Sequence, residues 1–246
     1  MYIVASKAAM NKLTIDIGNT LIKVALFKDA EMEWCMPFNQ LEANQLQLLM
    51  HTHQVKHVIA SNVSAASTLT FEQIEGFVKL TPHLKLPFVN YYESPETLGS
   101  DRMALAAATQ YYFKGKPCVV FDAGTCLTLD LVTADQIYLG GIISPGLQMR
   151  LNGMHYFTGK LPQLTAAFVE NKIGANTIDC MQSGAYFGMI AEIEYHIQAL
   201  KAKYPDLQVL LCGGNAELLS KQLKSPLFVE KNLLMYGLHL ILDLNV

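Results

Sequence analysis

Asp16-Ile17-Gly18-Asn19-Thr20 and Asp122-Ala123-Gly124-Thr125 are two copies of one short pattern, about a hundred residues apart. Each follows an apolar run, Leu13-Thr14-Ile15 or Val119-Val120-Phe121, and leads into a second strand-like run, Leu21 to Phe27 or Leu127 to Val132. A polar turn comes next in both, Lys28-Asp29-Ala30-Glu31 or Thr133-Ala134-Asp135-Gln136, followed by a third strand-like segment. The glycine lets backbone approach a bulky polyanion closely, and the threonine adds a hydroxyl and an N–H donor. An aspartate beside phosphate implies a cation between them. Two such loops predict a clamp for a nucleoside triphosphate.

The rest of the chain reads outward from these loops. Strands are expected at Leu13–Ile17, Leu21–Phe27 and Trp34–Phe38, then a helix near Leu41–Met50 and a strand at Val58–Ser61. A helix near Phe71–Lys79, a strand at Pro87–Val89 and an alanine-rich helix from Asp101 to Tyr112 complete the first half. Lys114-Gly115-Lys116-Pro117 is the clear break, so the domains are drawn as residues 10–114 and 115–246. The second half repeats the opening with strands at Cys118–Phe121, Leu127–Val132 and Ile137–Ile143, then a helix from Pro145-Gly146 to about Met154. Phe157 to Thr177 reads as a long connection. It is followed by a helix over Asp179–Lys203, a strand at Gln208–Cys212, a helix to about Leu223, a short strand at Leu227–Val229 and a closing helix at Leu233–Leu242. The fold class is therefore α/β, with two similar halves.

Composition narrows the function. The 246 residues are 51% hydrophobic and 16% charged, which describes a well-packed globule. A net charge of −3 argues against nucleic acid as the main partner. No apolar stretch reaches the roughly 18 residues of a membrane helix, and no apolar h-region precedes Asp16. Met10 is an alternative start, because the first strand begins right after it. The five scattered cysteines form no CxxC pair and mostly sit in apolar runs, which fits a reducing, cytoplasmic setting.

The Walker A pattern and the kinase glycine-rich loop are both absent, so the paired loops carry the phosphate argument. Lys23 either reaches a phosphate oxygen as a point charge or is a solvated strand lysine. Asn19 either orients a phosphate or a metal-bound water, or is a plain turn residue. In Thr97-Leu98-Gly99-Ser100-Asp101-Arg102, Asp101 has an ordinary capping explanation, whereas the Arg102 fork suits bidentate capture of a carboxylate. Tyr92 can add a ring wall or a hydroxyl contact. Gly140-Gly141-Ile142-Ile143-Ser144-Pro145-Gly146 suggests close backbone approach, and Gly213-Gly214 could underlie a nucleotide base.

With Asp16-Ile-Gly-Asn-Thr-x-x-Lys23, Gly99-Ser-Asp-Arg102, Asp122-Ala-Gly-Thr125 and Gly140-Gly-Ile-Ile-Ser-Pro-Gly146 in this order, the chain resembles type III pantothenate kinase. The wider group is the acetate and sugar kinase, Hsp70 and actin superfamily. The resemblance implies duplicated ribonuclease-H-like (actin-like ATPase) domains, mixed sheets flanked by helices, and an interdomain ATP cleft. It implies ATP-dependent phosphorylation of the pantothenate hydroxyl, the first step towards coenzyme A, with Mg2+ and a monovalent cation, K+ or NH4+. Asp16, Ile17, Gly18, Asn19, Thr20, Leu21, Ile22 and Lys23 would form the first phosphate loop, with Thr125 as a further ATP contact. Asp101 would be the general base, at an ordinary carboxylate pKa of about 4. Tyr92, Gly99, Ser100, Asp101, Arg102 and Thr177 would bind pantothenate, and Asp122 would hold the monovalent cation. A cytoplasmic homodimer is also implied, with the long helix after Asp179 as a dimer surface.

Two other readings compete. One is a non-catalytic, kinase-like accessory factor in transcriptional regulation, which would have no need of Asp16, Asp101, Arg102 and Asp122 together. The other is a sugar or polyphosphate kinase or phosphatase of the same superfamily, which the Gly-x-Asp-Arg element and the short length disfavour.

Overall fold

The computed structural model describes residues 10–18, 21–63 and 71–246. The chain forms two compact units. One takes the described residues up to Pro87, then Ser94–Tyr111 and Leu234–Val246; the other takes Phe88–Glu93 and Tyr112–Leu233. The chain thus passes from unit to unit four times, once close to the expected break after residue 114, and its last helix returns to the first unit.

The first unit is built on β1 (Asn11–Ile17), β2 (Ile22–Lys28), β3 (Glu31–Phe38), β4 (His57–Asn62) and β5 (Phe77–Lys79). Their order across the sheet is β3-β2-β1-β4-β5. The β1–β2 and β2–β3 pairs are antiparallel, and β1–β4 and β4–β5 are parallel. Alternation is weak in β1, where Leu13, Thr14 and Ile15 are all fully buried, as expected of a central strand covered on both faces. Helix α1 (Ala43–Thr52) opens with a Glu42/Gln45 capping box and buries Leu46 and Met50.

Between Phe71 and Lys79 the expected helix is replaced by a turn and strand β5. Phe71, Ile74 and Phe77 have helical spacing, but the local geometry is decided by Gly76. Its φ is +80°, and a Cβ there would lie 1.9 Å from the Lys56 carbonyl oxygen. Val58 N–H donates to the Gly76 carbonyl, which starts the parallel pairing of β5 with β4.

Helix α2 (Ser100–Phe113) is buried continuously from Arg102 to Gln110. Its alanines give it the slim surface that such burial needs. Helix α6 (Leu233–Asn245) crosses it at Gly237, where a Cβ would stand 1.8 Å from the Ala104 carbonyl oxygen. Helix α6 also reaches the first sheet. The His239 ring stacks on Phe27 with centroids 4.2 Å apart, Asp243 pairs with Lys12, and Thr14 Oγ1 donates to Met235 Sδ at 3.2 Å.

The second unit repeats the sheet with β7 (Cys118–Ala123), β8 (Cys126–Val132), β9 (Ile137–Pro145), β10 (Gln208–Cys212) and β11 (Phe228–Val229). Short strand β6 (Val89–Asn90) is added at the edge, giving β11-β10-β7-β8-β9-β6. Without β6, the order and directions match the first sheet strand for strand. The hairpin turns match too, each using a non-glycine residue at positive φ, Asp29 at 53° and Gln136 at 62°. Strand β6 begins at Val89, two residues after the expected Pro87, because Val89 N–H is the first to donate across, to the Gln136 carbonyl at 2.8 Å.

Helices α3 (Leu147–Tyr156), α4 (Thr177–Lys203) and α5 (Ala216–Ser220) complete this unit. Helix α4 is capped by Asn176, whose side chain accepts from Asp179 N–H, so it begins two residues before the expected Asp179. Helix α5 stops at Ser220, short of the expected Leu223. Leu147, Leu151, Tyr186, Met189, Ile193 and Ile197 bury against Val119, Phe121 and Leu211. The connection from Phe157 contributes Leu161, Leu164, Ala166 and Val169 to that core, which anchors a segment without helix or strand.

Substituting Gly237→Ala is expected to lower stability by about 3 kcal/mol, because a methyl group meets backbone that neither helix can move alone. Gly153→Ala, in α3 with open space at its Cβ, should raise stability by about 0.5–1 kcal/mol. Urea denaturation of the two variants checks both.

Candidate active site

The two aspartates of the repeated pattern occupy equivalent places. Asp16 is opposite Lys23 in the β1–β2 ladder and beside Ser61 of β4, one residue before the last pair. Asp122 is opposite Thr128 in β7–β8, also one residue before the last pair, and beside Cys212 of β10, where it forms the last pair. Each therefore stands at the carboxyl end of a strand with a parallel neighbour, where ligands collect in open α/β sheets.

In the first unit the loop after Asp16 closes tightly, with Gly18 N–H donating to the Leu21 carbonyl at 3.2 Å. A Cβ on Gly18 would approach that same oxygen to 3.2 Å. Asn19 and Thr20 lie outside the described residues. Ile17 and Ile22 are buried in the sheet and form the last pair of the ladder, so their backbone, not their side chains, is available to a ligand. Leu21 and Lys23 are half-buried.

Helix α2 starts within this unit and supplies the second carboxylate. Asp101 Oδ1 accepts the Arg102 N–H at 2.8 Å, folding the side chain back over the first turn. In this conformation the side chain fills the space beside Gly99, where a Cβ would stand 2.4 Å from Asp101 Oδ1. Arg102 is buried, and the Ser100 hydroxyl is turned towards β4. Burial pushes Asp16 up to about 6; the Lys23 charge opposes the rise and the Asp101 charge adds to it. Burial also raises Asp101, against the lowering pull of the Arg102 N–H and guanidinium. The expected ordinary pKa for Asp101 is corrected accordingly. Cys35 of β3 is raised by burial as well, with Lys23 lowering it and Asp16 raising it, so it belongs to the same electrostatic cluster.

In the second unit two glycines lie against the half-buried Asp122. A Cβ on Gly124 would lie 3.3 Å from its Oδ1, and one on Gly213, whose φ is +89°, would lie 2.2 Å away. Asn215 ties the next loop down, donating from N–H and Nδ2 to the Ala123 carbonyl at 3.0 and 3.2 Å. Thr125 is exposed, and its carbonyl accepts the Gly146 N–H at 3.2 Å. Gly146 has no room for a Cβ, 2.3 Å from that oxygen, and Gly141 has none against Leu129. The crowding at these two glycines is against the protein's own backbone, and at Gly141 it lies beside a register shift in the β8–β9 ladder. Gly213 serves Asp122 and Ala123, whereas Gly214 is open.

Tyr92 also belongs to this unit, with its ring against Gly140 and its centroid 6.2 Å from that of Tyr138. Thr177 is the exposed first residue of α4. Within the first unit Asp16, Lys23, Asp101 and Arg102 come together; within the second, Asp122, Thr125, Gly146 and Gly213 do. Ser61 and Asn62 of β4, which bond the Ser100 hydroxyl, were not singled out by the sequence. Their signal is two small polar residues closing an apolar strand beside Asp16. A cavity of about 610 Å³ beside Glu194 and Ser225 and one of about 620 Å³ beside Gly76 include none of these residues.

Among the described residues no group of three or more His, Cys, Asp or Glu is arranged to hold a metal ion. Single carboxylates at Asp16 and Asp122 fit cations that share their coordination with phosphate, water and backbone carbonyls.

The profile of the type III pantothenate kinase family matches residues 12–199. The chain belongs to this family. A type III pantothenate kinase of Bacteroides fragilis (strain YCH46) is 38% identical over 237 residues, covering 95% of this chain and 98% of its own. One from Christiangramia forsetii is 36% identical over 238 residues, with 95% and 98% coverage. Among solved structures, a Baf family protein from Campylobacter jejuni superposes with a TM-score of 0.62 at 20% identity, covering 94% of this chain and 97% of that one. A glucokinase from an Antarctic psychrotroph gives 0.52 at 12% identity, with 95% and 98% coverage. These likenesses show the fold, the duplicated ribonuclease-H-like arrangement of the actin-like ATPases.

The raised pKa of Asp16 carries a stability consequence. Its folded value, about 6, lies above the unfolded 3.8, so the folded state retains a proton that the unfolded state loses as pH rises between them. Stability contributed by the neutral form is present below about pH 4 and is lost as pH rises through 6. Asp16→Asn should therefore be more stable than the parent at pH 8, by on the order of 2 kcal/mol, with the difference vanishing below about pH 4. Thermal denaturation across pH in the absence of nucleotide checks it.

Proposed function

We propose that the chain transfers the γ-phosphoryl group of ATP to the hydroxyl of pantothenate, the first step towards coenzyme A. The observation that carries this is the family match over nearly the whole chain, together with a partly buried acid, Asp101, on the same unit as the Asp16 loop and beside Arg102. Asp101 accepts the hydroxyl proton. Its raised pKa brings it nearer the working pH and makes it a better base than an ordinary aspartate. Arg102, with Gly99 and Ser100 of the same unit, binds pantothenate, the guanidinium answering the substrate carboxylate, and Tyr92 and Thr177 are further substrate residues carried by the second unit.

The loop from Asp16 to Lys23, including Asn19 and Thr20, handles phosphates, with Thr125 as a second contact. Phosphoryl transfer runs through a loose transition state, so positioning and charge neutralisation supply most of the rate. Asp16 would hold Mg2+ and Asp122 a monovalent cation, K+ or NH4+, and these ions supply charge neutralisation at the phosphates. The comparison of the two ladders supports this division. Lys23 stands opposite Asp16 in the first, whereas Thr128 stands opposite Asp122 in the second.

A cytoplasmic homodimer completes the reading. No helix among the described residues is long and apolar enough to cross a membrane. Tyr156, Phe157, Ile173 and Ile178 of the second unit are exposed apolar residues that a second copy would cover.

The test is an ADP-release assay dependent on pantothenate, run with potassium and then with sodium alone. Turnover that needs both pantothenate and potassium is expected, and Asp122→Ala should abolish the potassium dependence. Asp101→Asn should lower kcat by roughly two to four decades while ATP and pantothenate binding stay nearly intact. Absence of pantothenate-dependent turnover with any ion would overturn the proposal in favour of an accessory factor.

A further inference from the structure

Ser61 closes β4 and is fully buried. Its Oγ lies 2.9 Å from Ser100 Oγ, and the next residue, Asn62, donates its N–H to the same oxygen at 3.1 Å. A serine hydroxyl has one proton and two acceptor lone pairs. Ser100 spends one lone pair on Asn62 and bonds Ser61 in whichever direction the protons choose, so both contacts come from the end of one strand. Ser61 sits directly beside Asp16 in the parallel β1–β4 ladder, and Ser100 immediately precedes Asp101. Two hydroxyls, 39 residues apart in sequence, thus join the strand end that carries Asp16 to the helix start that carries Asp101.

Packing alone does not require them. A pair of alanines would fill nearly the same space, and replacing both partners of the hydroxyl–hydroxyl bond by apolar groups is close to neutral for stability, apart from the acceptor lost to the Asn62 N–H. Geometry does require something there. Asp16 and Asp101 repel each other, while Asp101 itself bonds within its own turn and Met103 N–H donates back to the Gly99 carbonyl. Left to electrostatics, the helix start would drift from the phosphate loop.

We propose that the Ser61–Ser100 hydroxyl pair is a latch holding Asp101 at its working place against Asp16, and that Ser61 is a positioning residue for the phosphoryl transfer. It touches no reacting atom. This rests on the pantothenate kinase reading of the site. A misplacement on the order of 1 Å costs about a hundredfold in rate without weakening ground-state binding, so the latch acts on kcat.

Three variants test it in the full chain: Ser61→Ala, Ser100→Ala and the double. Ser61→Ala should lower kcat about 10- to 100-fold with both KM values within about threefold of the parent. The double variant should be no slower than Ser100→Ala, because that change already breaks the Ser61 bond and also removes this acceptor of the Asn62 N–H, and its stability should stay close to that of Ser100→Ala. Unchanged kcat in Ser61→Ala, KM values that climb in step with the loss, or rate losses that multiply in the double would each overturn the latch. Should Ser61→Ala fail to fold, Ser61→Cys, close in volume and a weak hydrogen-bonding group, replaces it with the same criteria. Hydrogen exchange separates this from the activity reading. If the parent chain shows no pantothenate-dependent turnover, that reading falls, yet the latch still predicts faster exchange of the Asn62 and Met103 amides in Ser61→Ala with Ile15 and Val24 unchanged. Unaltered exchange at Asn62 and Met103 would sink it.

Discussion

Enclosing a carboxylate is unfavourable, and the first unit does so twice at one end of its sheet. Burial disfavours the charge on Asp16, and the neighbouring Asp101 disfavours it further. The surrounding features answer that cost. Lys23 stands across the ladder, Asp101 takes the Arg102 N–H, and Gly99 vacates the space its side chain occupies. The arrangement is uncomfortable when empty and suited to receive positive charge. Nucleotide with its cation would relieve the repulsion, so binding and local stability are linked through the same two groups.

The second unit repeats the sheet but not this tension. The same strand order places Asp122 where the first has Asp16, yet Thr128 replaces Lys23 opposite it, and Gly213 stands beside it where the first sheet has Asn62. One scaffold thus offers two aspartates in different company. The first aspartate faces an ammonium across its ladder and the second a hydroxyl-bearing threonine, so the two carboxylates differ in what they can bind.

Much of this was legible in the sequence because it is local. Apolar runs broken by Asp-x-Gly turns gave the strands of both sheets, and the match between the two series disclosed the duplication before any pairing was visible. Asp101 and Arg102 were readable as the start of an alanine-rich helix. What escaped was non-local. Phe71, Ile74 and Phe77 imitate a helical stripe, and only the pairing of β5 with β4 and the positive φ at Gly76 make the segment a turn and strand. The bond from Ser61 to Ser100 spans 39 residues, and no spacing rule joins them. The raised pKa of Asp101 depends on enclosure that composition does not reveal.

The closing helix has a consequence for how the molecule comes to exist. α6 stacks His239 on Phe27, places Gly237 against Ala104 and pairs Asp243 with Lys12, so the unit bearing Asp16 and Asp101 is assembled from both ends of the sequence. The other unit is nearly continuous, from Tyr112 to Leu233 with one short strand added. During synthesis the second sheet can therefore be finished while the first still lacks a wall. A ribosome that stalled before Leu234 would therefore leave the unit bearing Asp16 and Asp101, not the other, open to proteolysis.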